Sequence, residues 1–442
     1  MTRTPRFGVN YVPRDGWFYS WLEPDLDETR RDMAAIASLG LDHVRIFPLW
    51  PVLQPNRTLI RRKALADVRR LVEIAGEEGL DAAVDVIQGH MSSYDFLPSW
   101  LSSWHARNMF TDPEAIRAQA DLTGSLHGAL ADLPNYFALT LGNEVNQFSG
   151  DPHPAPMRAT KQEAGHWIDS LLGAVPAESS QYRLHAEYDA VWYLDDHPFV
   201  PAHAAQKGDM TVLHSWIFNG TAQRYGGMSA ESLRHGEYLT ELAAAFAHDE
   251  NGPVWLQEIG APLNCLDASE AASFCREAVQ YATDSVHQWG VTWWCSHDVD
   301  RSLADFPDLE YSLGLFDSAG TVKPIGRAFA EVAQEVRDRM SAPQRRQEAV
   351  VVVVDGDGLP TRRADLAPGG SVFSTWMGLA VEGRRPALVT SRDAADSATL
   401  ARSGVTELHW PVDSGKVAAY SAVSDSDALE SVNGRDRSDG FR

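Results

Sequence analysis

Two glutamates carry the chemistry most legible in this chain. Glu144 closes the run Tyr136-Phe137-Ala138-Leu139-Thr140-Leu141-Gly142-Asn143-Glu144, and Glu258 closes Pro253-Val254-Trp255-Leu256-Gln257-Glu258. A strand that merely stops is better served by a turn residue than by an ionisable one. In a parallel α/β barrel the carboxyl ends of the strands form the active-site face. Two carboxylates meeting across that face are what retaining cleavage of a glycosidic bond requires. One protonates the leaving oxygen, the other attacks the anomeric carbon, and roughly 5–5.5 Å separates them. The competing reading is structural, with either glutamate capping a helix or pairing with an arginine.

Strand-like and helix-like stretches alternate from residue 7 to about residue 338. The strands read as Phe7–Tyr11, His43–Phe47, Asp81–Val86, Tyr136–Leu141, Arg183–Glu187, Thr211–His214, Val254–Gln257 and Val291–Trp294. Eight of them separated by helical patterns predict the α/β class and a closed (β/α)8 TIM barrel. Glu144 then follows strand four and Glu258 strand seven, opposite each other. In the first helix Leu26, Met33, Ile36 and Ala37 share a face, and Asp27, Glu28, Arg31 and Asp32 are expected outside it. Gly40 and Gly79 are placed to end helices with left-handed caps, and Thr111-Asp112-Pro113-Glu114 opens another helix.

At 442 residues the chain suits a barrel of about 250–350 residues with an appendage. Residues 1–340 read as the catalytic barrel and 341–349 as a linker. Residues 350–420 read as a small C-terminal α/β domain, with strands at Val350–Val354, Ala387–Thr390 and Val405–Trp410, that packs or oligomerises rather than taking part in catalysis. The polar stretch 421–442 reads as a disordered tail. A net charge of -23 without a basic tract excludes nucleic-acid and anionic-membrane partners and says little about a neutral sugar. Cys265, Cys275 and Cys295 follow no metal spacing, and Cys295 reads as an apolar filler in a strand. No apolar run approaches the ~20 residues that span a membrane and no leader precedes the first strand. The expectation is a cytoplasmic protein acting on small molecules.

Supporting groups fall at other strand ends. Arg45 could hold a carboxylate ionised, or form a structural ion pair. His90 and His214 could bond sugar hydroxyls or orient a glutamate, or be ordinary core histidines. Asn143 offers a donor and an acceptor beside Glu144. Tyr11, Trp17, Trp50, Trp100, Trp104, Trp216, Trp293 and Trp294 gather where loops should meet, and sugar C–H faces pack on such rings. Trp293 and Trp294 are adjacent in a strand and point opposite ways; Trp294 is expected to face the pocket.

In that order Arg45, His90, Asn143-Glu144, His214, Glu258 and Trp294 resemble family 5 of the glycoside hydrolases, whose catalytic glutamates follow strands four and seven. Gly314-Leu315-Phe316-Asp317 through Lys323-Pro324 resembles the approach to that family's last helix, so the resemblance covers about residues 7–338. It implies Glu144 as acid/base, Glu258 as nucleophile, no cofactor and no metal. Sugar contacts are expected from the matching Arg45, His90, Asn143, His214 and Trp294 and, outside the matched positions, from Trp216, Trp50, Tyr11 and Asn10. One departure stands out: where the family has histidine, any residue, tyrosine after strand six, this chain has His214-Ser215-Trp216, so the tyrosine that bonds the nucleophile is missing or comes from elsewhere. Phe7-Gly8-Val9-Asn10-Tyr11 and the appended unit look most like a bacterial subgroup of exo-acting β-mannosidases. That subgroup takes short substrates such as the mannosyl-β-1,4-N-acetylglucosamine of N-glycan cores.

The long connections Ser92–Arg107, Asn146–Ala159 and Trp216–Ser229 are expected to wall off one end of the cleft and so favour exo action. An endo-acting β-mannanase or β-glucanase on the same barrel stays open, as does a non-catalytic sugar-binding barrel. A Schiff-base aldolase fits poorly because Lys63, Lys161, Lys207 and Lys323 fall in helices or connections. A metallohydrolase fits poorly because no His-x-His occurs. The expected partner is a short oligosaccharide, with homo-oligomerisation through the C-terminal unit a further possibility.

Overall fold

The structure, a computed structural model, describes residues 4–104, 106–249 and 252–411. Eight parallel strands make one sheet: β1 (Arg6–Tyr11), β2 (His43–Ile46), β3 (Asp81–Ile87), β4 (Tyr136–Gly142), β5 (Tyr182–Leu184), β6 (Thr211–Ser215), β7 (Val254–Ile259) and β8 (Gln288–Trp293). The order β5-β4-β3-β2-β1-β8-β7-β6 wraps the sheet into a nearly closed (β/α)8 barrel. The remaining seam, between β5 and β6, is stitched by Asp209 N–H donating to the Arg183 carbonyl at 3.0 Å and Arg183 N–H donating to Asp209 Oδ2 at 2.7 Å.

The helices that follow the strands are α1 (Leu26–Ser38), α2 (Arg62–Glu77), α3 (Pro113–Leu130), α4 (Lys161–Leu172), α5 (Pro201–Gln206), α6 (His235–Phe246), α7 (Ala271–Ala282) and α8 (Pro324–Arg337). Their ends follow local chemistry. Asp25 and Asp112 accept from the first free N–H groups of α1 and α3, and Thr160 with Glu163 forms a capping box on α4. Gly40 and Gly79 turn the chain at φ 70° and 79°. The outer face expected of α1 needs correcting, because Glu28 and Asp32 are buried. Asp32 accepts from the Tyr11 hydroxyl at 3.1 Å and from Arg14 N–H at 3.2 Å, and Glu28 pairs with Arg14 and Arg31. Burial pushes the Asp32 carboxyl up to about 6.

Alternation along the strands sorts the barrel interior into two levels. The lower level is apolar: Ala83, Ala138, Leu184, Val212, Trp255 and Trp289 form a cluster of their own. Two residues further along β2, β3, β4, β6 and β7 stand Arg45, Asp85, Thr140, His214 and Gln257, all buried. The strand pattern that supplies the plug therefore also supplies a polar floor beneath the mouth.

After α8 comes a three-stranded parallel sheet in the order β10-β9-β11: β9 (Glu348–Val352), β10 (Pro386–Thr390) and β11 (Glu407–His409). Helix α9 (Ser371–Val381) covers it. β9 starts inside the expected linker, since Gln347 already accepts from Thr406 N–H at 2.7 Å. The expected tail, 421–442, and the last residues of the unit lie outside the described residues. Ala349 and Val351 pack with Val389 and Val405 on one face, whereas Val350 and Val352 join Phe373, Trp376 and the barrel in a single core. The joint is also polar: Tyr238 of α6 donates to the Leu366 carbonyl at 2.7 Å, and Arg346 pairs with Glu237 at 2.7 Å and Glu241 at 3.1 Å. Among the described residues the cysteines are free, and no helix is long and apolar enough to cross a membrane.

Arg346 is 3% exposed and its partners 1% and 4%, so removing it leaves buried Glu241 with no cation, only the Ser285 hydroxyl at 2.7 Å, and Glu237 with Arg234 alone at 2.7 Å. Arg346→Ala is expected to lose about 3–5 kcal/mol of stability, read from denaturant unfolding followed by tryptophan fluorescence.

Candidate active site

Glu144 ends β4 in a left-handed conformation, φ 43° and ψ 37°, and opens a 3-10 turn over Val145–Ser149. A non-glycine residue held there costs about 1–3 kcal/mol, and such strain clusters at working sites. Glu258 sits in β7 with its side chain 4% exposed. Carboxylate oxygens of the two glutamates lie within 4.8 Å of each other, close to the separation of a nucleophile and an acid/base pair.

Each carboxylate is held by fixed donors. Arg45 Nη1 donates to Glu258 Oε1 at 2.7 Å, and the Trp216 indole donates to Glu258 Oε2 at 3.1 Å. Gln147 donates to Glu144 Oε2 at 2.6 Å. His214 stands between them, with Nδ1 at 2.7 Å from Glu144 and 3.4 Å from Glu258. Its Nε2 faces the Gln257 carbonyl at 3.3 Å, because the Gln257 amide nitrogen donates to Thr140 at 3.2 Å. Both ring nitrogens thus meet acceptors, the arrangement of an imidazolium. Burial opposes that charge, but Glu258 and Glu144 outweigh it and the His214 pKa lies above the usual value. Burial likewise opposes ionisation of Glu144, yet the His214 contact brings it below its usual range. For Glu258 burial prevails over His214 and Arg45, and its carboxyl lies above the usual range. The three titrate as a unit.

Beneath them Arg45 spans the floor, donating to Asp85 at 2.9 and 2.7 Å, to Asn143 Oδ1 at 2.8 Å and to Asn10 Oδ1 at 3.3 Å. Above them opens a cavity of about 330 Å³ lined by Glu144, Glu258, His90, Asn143, Trp216 and Trp294, with walls from Asp95, Gln147, Pro152–Pro154, Tyr188, Phe218, Asn219, Pro307, Leu309 and Glu310. That volume lies at the lower end of ligand cavities, about 300–1,000 Å³, and suits a short ligand. His90 Nδ1 donates to Asp95 at 3.1 Å, which also accepts from His153 at 3.0 Å.

Solved structures of known proteins match this chain over nearly its whole length. One from Bifidobacterium longum subsp. infantis, described as a GH5_18 protein, is 55% identical with a TM-score of 0.91, covering 93% of this chain and 98% of its own. The chain belongs to subfamily 18 of glycoside hydrolase family 5. It is accordingly a glycoside hydrolase on a (β/α)8 barrel. A subfamily member from Streptomyces cattleya, in complex with GlcNAc, is 52% identical with a TM-score of 0.91 over 93% of this chain and 99% of its own. A glutamate-to-alanine variant from Bifidobacterium longum subsp. longum ATCC 55813, in complex with Manβ1-4GlcNAc, is 52% identical with a TM-score of 0.92 over 96% of this chain and 100% of its own. No protein-family model and no curated protein matches the chain.

Within this family 5 site several residues expected to touch sugar do not reach the cavity. Tyr11 is buried with its hydroxyl on Asp32. Trp50 is fully buried and its indole donates to Gln54 at 3.0 Å. Asn10 is committed beneath the floor, its amide donating to the carbonyls of Gln257 and Trp293 at 3.0 Å each. Arg45 and His214 have side chains with no exposure and touch the carboxylates, not the cavity. Trp294 lines the cavity while Trp293 is buried and donates to the Leu313 carbonyl at 3.2 Å.

Sequence reasoning missed Asp85, Gln147, Tyr188, His153 and the wall after β8. Only Gln147 had a signal, three residues after Glu144 at the start of a turn. Trp216 occupies the position of the missing tyrosine, and its ring lies against Gly260, where an added Cβ would stand 2.7 Å from an indole carbon. Glycine at 260 is what lets the larger ring reach Glu258.

A hydrogen bond to a charged group is worth about 1.5–3 kcal/mol, so Trp216→Phe is expected to lower kcat/KM about 10- to 100-fold. Losing a donor to the ionised form raises the Glu258 pKa, and the acid limb of the kcat/KM–pH profile should move to higher pH.

Proposed function

We propose that this glycoside hydrolase is a retaining exo-β-mannosidase that releases mannose from Manβ1-4GlcNAc. The observation that carries the reading is the pair of carboxylates within 4.8 Å at the base of a walled cavity, taken with the Manβ1-4GlcNAc bound by a 52% identical relative.

Glu258, steadied by Arg45 and Trp216, attacks the anomeric carbon to form a glycosyl-enzyme ester. Glu144, with its proton drawn from the shared site with His214, protonates the departing oxygen. Glu144 then takes a proton from water as that water displaces Glu258 from the sugar, which restores both groups. Arg45 keeps Glu258 charged before attack, and His214 buffers the proton on Glu144 across a 2.7 Å contact. Trp294, Trp216 and Phe218 offer apolar faces to the sugar, while Asn143 and His90 offer polar edges. Walls from the loops after β3, β4, β6 and β8 favour a chain end over an internal bond.

Proton NMR of the first product should show β-mannose before mutarotation; an initial α anomer overturns the assignment. Glu144→Gln should lower kcat/KM on Manβ1-4GlcNAc about 10²–10⁴-fold and spare kcat/KM on dinitrophenyl β-mannoside, whose leaving group needs no proton. Equal losses on the two would remove the acid role.

A further inference from the structure

The active-site turn is anchored from outside the barrel. Arg363 belongs to the C-terminal unit, in a short turn over Arg363–Asp365, and is 5% exposed. Among the described residues its guanidinium has no carboxylate hydrogen-bond partner and donates instead to main-chain carbonyls of the β5–α5 connection. These are Phe199 at 2.8 Å, His197 at 2.7 Å, Val191 at 3.3 Å and Asp195. Its own backbone N–H donates to the Asp195 carboxylate. Five donors in a rigid fork fit several carbonyls at once, which a lysine cannot do. Burial pushes its pKa down to about 10.

The segment it grips reaches the catalytic turn. His197 Nδ1 accepts from Phe199 N–H at 3.2 Å, which leaves Nε2 as the donor to the Asn146 carbonyl at 3.1 Å. The Asn146 side chain clasps Tyr188, accepting from its N–H at 3.1 Å and donating to its carbonyl at 3.4 Å. Asn146 lies in the same turn as Gln147, which holds Glu144, and Tyr188 lines the cavity. We propose that Arg363 is a positioning residue for Glu144, acting through His197 and Asn146 to hold the strained turn in which the acid/base and Gln147 sit. The C-terminal unit is then part of the catalytic apparatus, not an independent module. This rests on the reading of Glu144 as acid/base.

The test compares Manβ1-4GlcNAc with dinitrophenyl β-mannoside in the full-length enzyme, with rates expressed per active site titrated by the dinitrophenol burst. Arg363→Ala, Arg363→Lys and His197→Asn should each lower kcat/KM for the disaccharide about tenfold or more while changing the activated substrate less than about twofold. The alkaline limb of the pH profile should move to higher pH, because the His214 contact that holds the Glu144 carboxyl below its usual range loosens. Arg384→Ala, at the exposed edge of the same unit where it pairs with Glu348 and Glu407, should move neither readout. If Arg363→Ala does not fold, the lysine and His197 variants carry the test. Equal losses on both substrates with an unmoved alkaline limb would overturn the proposal, provided Glu144→Gln discriminates between the substrates. If Glu144→Gln does not discriminate, the acid/base reading falls and the proposal falls with it.

Discussion

Charge balance in the barrel mouth is the constraint on which the site depends. Asp85, Glu144 and Glu258 are buried carboxylates, and Arg45 and His214 are the cations that touch them. Buried charge is costly unless paired and hydrogen-bonded. Three acids against two cations are neutral only when one further proton resides among them, and that proton is the one glycosidic cleavage consumes. The same arithmetic explains why Arg45 is shared between Asp85 and Glu258. Asp85 fixes the guanidinium from below, so its remaining arm can only point up at the nucleophile.

Rigid supports surround this balance on every side. Trp216 reaches the nucleophile over a glycine, Gln257 sets the ring of His214 through Thr140, and Asn143 is tied to Arg45. The arrangement costs little to reorganise during reaction, which is where most electrostatic catalysis originates. The C-terminal sheet extends the scheme, since one of its faces merges with the barrel core.

The barrel and its two glutamates were legible because strand periodicity and strand-end acids are local signals. Six of the eight strands begin and end within two residues of the sequence reading, while β8 begins at Gln288 and β5 stops at Leu184. There His185 turns aside to bond Glu187 and the Lys207 carbonyl. What sequence hid was burial of polar groups by distant partners. Nothing local distinguishes Asp32, which serves Tyr11, from a solvated helix acid. Tyr11, Trp50 and Asn10 looked like ligand contacts because aromatic and amide side chains near strand ends serve floors and linings equally well. The loop after β8 escaped notice because Pro307, Leu309 and Glu310 carry no pattern.

The apolar plug beneath the polar floor has its own consequence. Trp255 and Trp289, 5.0 Å apart, with His43 edge-on to Trp255, close the far end of the cylinder, which makes the catalytic chamber a blind alley. Water and protons then share one doorway with the sugar. The leaving sugar occupies that doorway while the glycone stays bound as the ester, so hydrolysis waits on the leaving sugar to vacate the passage its replacement water must use.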